Sequence, residues 1–155
     1  MHLKVYRMRP PAQLPHRAYP ADAGMDLFYC SNGDKKLYQT ADFHIPPKCS
    51  RLLPTGIKVE VPYGYMLEIK NKSGIASKRQ LLVGACVVDS GYNGEVYVNL
   101  HNIGAETQVI HPGDKIAQAV MIPIVHCKVE EVDTDRFLNF NSERATGGFG
   151  STGEK

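Results

Sequence analysis

An all-β, jelly-roll-like subunit is the fold this sequence predicts, on three observations. Apolar and polar residues alternate with a period of two over short stretches, clearest at Ile57/Val59/Val61 and Tyr65/Leu67/Ile69. Turn residues such as Pro62-Tyr63-Gly64 and Pro112-Gly113-Asp114 punctuate those stretches about every ten positions. No long helical period interrupts them, so one short helix is expected.

The length of 155 residues suits one domain, over 1–143, followed by a flexible Gly-rich arm over 144–155. With a net charge of +2 and no run of basic residues, neither a nucleic-acid nor a membrane surface is expected. The start, MHLKVYRMRPP, lacks the apolar centre of a signal peptide, and no apolar stretch is long enough to span a bilayer. A soluble intracellular chain is the expectation: cytoplasmic, or in the nucleus or a virus-infected host cell if the source is eukaryotic or viral. Cys30, Cys49, Cys86 and Cys127 lie far apart without a CxxC pair, and the histidines show no HxH or HExxH spacing. Reduced thiols are expected, with no zinc site.

In chain order, LKVYRM (3–8) alternates as a first strand, and the Pro-rich 10–24 should lie extended across the surface. AGMDLFYC follows as a strand with Met25, Leu27 and Tyr29 on one face. Asp26 then points the other way or into a polar interior, and the residues alone leave it a strand-end residue. Residues 31–42 read as a polar loop, and 43–72 hold at least three strand-like pieces. SGIASKRQ (73–80) is the helical exception, with Ser73 a candidate N-cap and Lys72 just outside. Its N-terminus suits either an ordinary capped helix or a phosphate site built from free N–H groups.

The stretch 84–102, GACVVDSGYNGEVYVNLHN, carries the candidate chemistry. Cys86–Val88 form a short apolar run to Asp89, and Asn93-Gly94 is a strong hairpin signal because both residues tolerate positive φ. Val96, Val98 and Leu100 then alternate as a half-buried strand. A hairpin would hold Asp89 and Tyr92 at its mouth, a carboxylate beside a ring; taken alone, DSGYNG reads first as a surface Asx turn. Ile116–Ile124 form a nearly continuous apolar strand broken by Gln118, which is either satisfied by neighbouring backbone or aimed at a ligand. KVEEVDTDRFLN (128–139) suggests an edge strand and an exposed turn. The tail RATGGFGSTGEK reads as a disordered terminus or as a segment that orders on a triphosphate, offering a guanidinium, backbone donors and hydroxyls.

Together these pieces resemble the trimeric dUTP diphosphatases (dUTPases). AGMDL (23–27), KSGIASK (72–78), VGACVVDSGYNGE (83–95), PGDKIAQ (112–118) and RATGGFGSTG (144–153) are similar to that family's five motifs, in order, from about Ala23 to Gly153. The resemblance implies a homotrimer of jelly-roll subunits with shared active sites. Its activity would be hydrolysis of dUTP to dUMP and pyrophosphate with Mg2+, limiting uracil in DNA and supplying dUMP for dTMP synthesis.

Carried over by position, the resemblance makes Asp89 the base that deprotonates the attacking water and Tyr92 the wall under the deoxyribose. Backbone at Ala85, Cys86 and Tyr97 would read the uracil edges. Lys72, Ser73, Gly74 and Gln118 would hold phosphates. Arg144, Phe149, Gly150, Ser151 and Thr152 would close over the nucleotide, with Phe149 against the base. Asp26 would position metal-bound water. The chain departs from the pattern at Lys72, where Arg is usual, and at Cys86 and Ala145, where Gly is usual. A dCTP deaminase of the same fold is the nearest alternative, but Asn99 stands near where its catalytic Glu would be. A non-catalytic nucleotide-sensing module is the other.

Overall fold

The structure, a computed structural model, describes residues 2–32 and 41–133. The chain divides into two compact units, Met1–Val125 and His126–Lys155. Every described strand and the one described helix belong to the first. In the second, the described residues 126–133 form no regular element, so the expected edge strand is not seen over its described part. The residues expected to form the arm, 144–155, and 33–40 of the polar loop lie outside the described residues.

In the first unit the order is β1 (Lys4–Arg7), β2 (Met25–Phe28), β3 (Phe43–Ile45), β4 (Ser50–Pro54), β5 (Ile57–Glu60) and β6 (Tyr65–Lys70). Then come α1 (Ser73–Arg79), β7 (Leu81–Val83), β8 (Val87–Val88), β9 (Tyr97–Asn102), β10 (Gln108–Ile110) and β11 (Lys115–Pro123). Two sheets matter for the site, one of strand order β2-β11-β6-β8 and one of order β4-β9-β7. The pairs β1-β5 and β10-β3 make two further small ladders, and every described pairing is antiparallel. This is the all-β architecture the alternation predicts.

The strand pattern follows from which faces are covered. β11 sits between β2 and β6, and Ile116, Ala117 and Ala119 are buried, which accounts for its near-continuous apolar run. β9 is centred in its sheet and alternates: Val98, Leu100 and Asn102 are buried, while Tyr97, Asn99 and His101 face outward. Asn102 is a polar residue in the core with every group used. Its Nδ2 donates to the carbonyls of Ile45 and Glu106, both at 2.8 Å, and its Oδ1 accepts from the Gly104 N–H at 2.9 Å. Side chains of both sheets, among them Leu67 and Ile69 of β6 and Val98 and Leu100 of β9, join one core.

The Pro62–Gly64 turn appears where expected, with Gly64 at φ 82° and the Tyr65 N–H donating to the Pro62 carbonyl at 3.1 Å. The helix also appears, one residue displaced from its expected cap. Lys72 is the N-cap with no side-chain cap bond, and the Ser77 hydroxyl donates to the Ser73 carbonyl at 2.7 Å. It ends on Gln80, held in the left-handed conformation with φ 52°.

Candidate functional site: a cleft between two sheets and a buried aspartate held by two lysines

The segment that should form a hairpin instead crosses between sheets. β8 pairs with β6, Leu67 opposite Val88, whereas β9 pairs with β4 and β7. Neither Asn93 nor Gly94 has a positive φ, so the expected primed hairpin turn is absent. The turn comes earlier: the Tyr92 N–H donates to the Asp89 carbonyl at 3.1 Å. Gly94 is needed for space. A Cβ there would stand 2.2 Å from the Tyr92 hydroxyl oxygen, because that ring folds back and its hydroxyl donates to the Glu95 carbonyl at 2.8 Å.

Between the two arms lies an open cleft of about 190 Å³ lined by Ala85, Cys86, Asp89, Tyr92, Tyr97 and Asn99, with Leu52 and Ile69 among its other walls. Five residues expected to act together, Ala85, Cys86, Asp89, Tyr92 and Tyr97, therefore share one wall system. Asp89 is exposed, and no ion pair or side-chain hydrogen bond among the described residues holds its carboxylate. Tyr92 is about half exposed. Burial, with the Glu95 carboxylate second, pushes the Tyr97 phenol up from its ordinary value.

Beneath this loop is a contact the sequence did not signal. Arg9 and Glu95, 86 positions apart, form a two-pronged ion pair: Nη1 donates to Oε2 at 3.1 Å and Nη2 to Oε1. Glu95 also accepts from the Gly56 N–H at 2.7 Å, and the Thr55 hydroxyl donates to the Val96 carbonyl at 2.6 Å. Burial alone would lower the Arg9 pKa; its hydrogen bond and charge contact with Glu95 outweigh that and raise it. The pair fixes the residue whose carbonyl holds the Tyr92 hydroxyl.

The expected phosphate-holding residues gather elsewhere. Asp26 is buried in the middle of β2 with its carboxylate between two ammonium groups, Lys72 at Oδ1 and Lys115 at 2.7 Å from Oδ2. A bulge explains how Lys115 reaches it. Gln118 lies opposite Asp26, but Lys115 lies opposite Phe28 and Ala117 opposite Leu27, so one extra residue of β11 brings Lys115 onto the Asp26 face. Burial pushes the Asp26 carboxyl up, but hydrogen bonding and charge from Lys115 and Lys72 more than reverse that and hold it below the usual carboxylate range. Of the two readings of Gln118, its Nε2 follows the backbone one, donating to the Asn71 carbonyl at 2.8 Å. Its side chain also packs on Gly24, where a Cβ would stand 2.0 Å from Oε1.

Lys72, Ser73, Gly74 and Gln118 do not line the Asp89 cleft. Arg144, Phe149, Gly150, Ser151 and Thr152 lie outside the described residues. Among the described residues no three His, Cys, Asp or Glu side chains are grouped to hold a metal ion, and no helix is long and apolar enough to cross a membrane. Cys30, Cys49, Cys86 and Cys127 are free thiols.

Comparison with known proteins agrees with this architecture. A family model described as dUTPase matches residues 10–153. The deoxyuridine 5'-triphosphate nucleotidohydrolase of Gloeothece citriformis is 39% identical over 155 residues, covering 99% of this chain and 97% of the relative. The dUTPase of Staphylococcus bacteriophage 80alpha, solved with dUPNHPP, superposes with a TM-score of 0.81 at 25% identity, covering 98% of each chain. A variant dUTPase from phage phi11 of S. aureus, described as coordinating a structural Mg(II) ion, gives 0.74 at 24% identity over 86% of this chain and 98% of that one. With a match across nearly its whole length and a close full-length relative, the chain belongs to the dUTPase family.

Proposed function

We propose that this protein is a dUTP diphosphatase that hydrolyses dUTP to dUMP and pyrophosphate with Mg2+. It would act as a homotrimer on the cytoplasmic nucleotide pool. The observation that carries the reading is the cleft itself: an exposed carboxylate, Asp89, and a ring, Tyr92, fixed on one turn between two sheets. Asp89 accepts a proton from a water aligned on the α-phosphorus, and attack breaks the bond to the bridging oxygen between the α and β phosphates. Tyr92, held by the Glu95 carbonyl and backed onto Gly94, floors the deoxyribose and leaves no space for a 2′-hydroxyl.

Mg2+, with Asp26 expected to position its bound water, would supply positive charge against the charge that develops on the phosphates. The chain's own cationic group is Lys72, held by Asp26 beside the first turn of α1, whose Ser73 and Gly74 N–H groups precede any intrahelical partner. In this reading the Asp89 cleft of one chain is completed by Lys72 and Gln118 of a neighbouring chain in the trimer; that neither residue lines the Asp89 cleft of its own chain supports it. Residues 1–143 make the catalytic domain in this reading. The arm 144–155 closes over the nucleotide through Arg144, Phe149, Gly150, Ser151 and Thr152.

The test is pyrophosphate release from dUTP, UTP, dCTP and dTTP with and without Mg2+. Release from dUTP far above the other three, lost with chelator, is the expected result. Ammonia release from dCTP would assign a deaminase instead, and binding without turnover would assign a nucleotide sensor.

A further inference from the structure

We propose that Asn99 sets the base specificity of the site by fixing the backbone that faces the base; this rests on the cleft being the uracil pocket. The ladder between β7 and β9 ends at Gly84, whose N–H donates to the Asn99 carbonyl at 2.9 Å. One residue later the chain has left the sheet, and the side chain of Asn99 takes over from the backbone. Its Oδ1 accepts from the Ala85 N–H at 3.3 Å, and its Nδ2 lies 3.4 Å from the Arg51 carbonyl on β4. His101 Nε2 lies 3.0 Å from the same Oδ1.

These contacts determine the orientation of the amide. The Ala85 N–H can only donate, so the oxygen of Asn99 must face it, and His101 must then present Nε2 as a donor. Gly84 confirms how closely the two side chains close over this backbone: a Cβ there would stand 2.2 Å from Asn99 Oδ1 and 2.3 Å from His101 Nε2.

The consequence falls on Cys86. Its carbonyl accepts from the Ile69 N–H of β6 at 2.7 Å, so the Ala85 N–H and the Cys86 carbonyl, which bracket the Ala85–Cys86 peptide, are tied to different sheets. Between those anchors the Cys86 N–H is the one backbone donor without a partner among the described residues, in a stretch that lines the cleft. A fixed N–H there donates to the O4 carbonyl of uracil and rejects the amino group of cytosine, where two donors would meet. The Ala85 N–H, expected from the sequence to read the base, is already taken by Asn99.

The experiment compares steady-state kinetics of the full-length wild type, Asn99→Leu and Asn99→Asp on dUTP and dCTP, with thermal melting alongside. Asn99→Leu removes every side-chain bond and should raise KM for dUTP about tenfold with kcat nearly unchanged, and lower the preference for dUTP over dCTP by about tenfold. Asn99→Asp retains an acceptor for Ala85 and should keep the preference. Asn99→Ser, too short to reach Ala85, serves if the leucine variant does not fold. A lowered melting temperature with unchanged KM and unchanged dUTP-to-dCTP ratio would reduce Asn99 to a structural residue and overturn the inference. A wild type releasing no pyrophosphate from dUTP would instead overturn the reading beneath it.

Discussion

Asp89 and Asp26 are both aspartates on or beside strands, and their surroundings give them opposite duties. Asp89 is exposed at the end of β8 with its carboxylate unengaged by the described chain. Asp89→Asn keeps the shape and removes the base, so kcat should fall on the order of 10²-fold or more while dUTP binding and the melting temperature hold. Equilibrium binding beside single-turnover rates checks this. Asp26 is buried between Lys72 and Lys115, and its pKa is depressed in the folded chain. A depressed carboxyl contributes stability above its unfolded pKa of about 3.9, and that contribution is lost as pH falls through the folded value. Asp26→Asn should therefore cost about 1.5 kcal/mol at neutral pH, because two partly solvated ammonium groups lose their shared counter-charge. The difference from wild type should shrink in acid, measured by urea unfolding at pH 7 and below pH 4.

Among elements, the segment between β8 and β9 shows what a period-two pattern conveys and what it does not. The alternation at Val96, Val98 and Leu100 marks the buried face of β9 correctly, as Ile57/Val59 and Leu67/Ile69 do for β5 and β6. It carries no information about which sheet a strand joins, so Asn93-Gly94 looks like a hairpin although its flanking strands never pair. Gly94 is a glycine for want of space, which a φ-based argument cannot detect. Gly94→Ala should displace the Tyr92 ring and erode the preference for dUTP over UTP by on the order of tenfold. Gly91→Ala, with open space around it, should not. The ratio of kcat/KM for the two nucleotides decides it. Arg9 with Glu95, and Asn99 with Ala85, were illegible for a related reason: each joins positions distant in the chain, and each residue taken singly looks like an ordinary polar surface position. The Asp89, Tyr92 and Cys86 grouping was legible because it is local.

For the whole molecule, the proposed trimer has a consequence that no single chain can show. If Asp89 and the arm serve one site from different chains, two inactive variants can repair each other. Chains deleted of 144–155 should remain folded but hydrolyse dUTP poorly, and Asp89→Asn chains should be inactive. Unfolded together and refolded as mixed trimers, they should regain activity, since some sites would combine an intact Asp89 with an intact arm. Activity no greater than the sum of the two separate preparations would place base and arm in the same chain. Light scattering should give three times the mass of the chain for each preparation.

The strap from Val88 to Tyr97 starts on one sheet and ends on the other, with Asp89 at its root and Tyr92 near its middle. The spacing of the sandwich is thus also the calibration of the active site: the gauge that holds the water and the sugar apart is the thickness of the apolar filling. Trimming that filling, at Leu67 opposite Val88 or at Val98 between Tyr97 and Asn99, would loosen the walls and detune the chemistry in molecules that are still folded though less stable. Fidelity toward the nucleotide is in that sense a property stored in the oil of the protein.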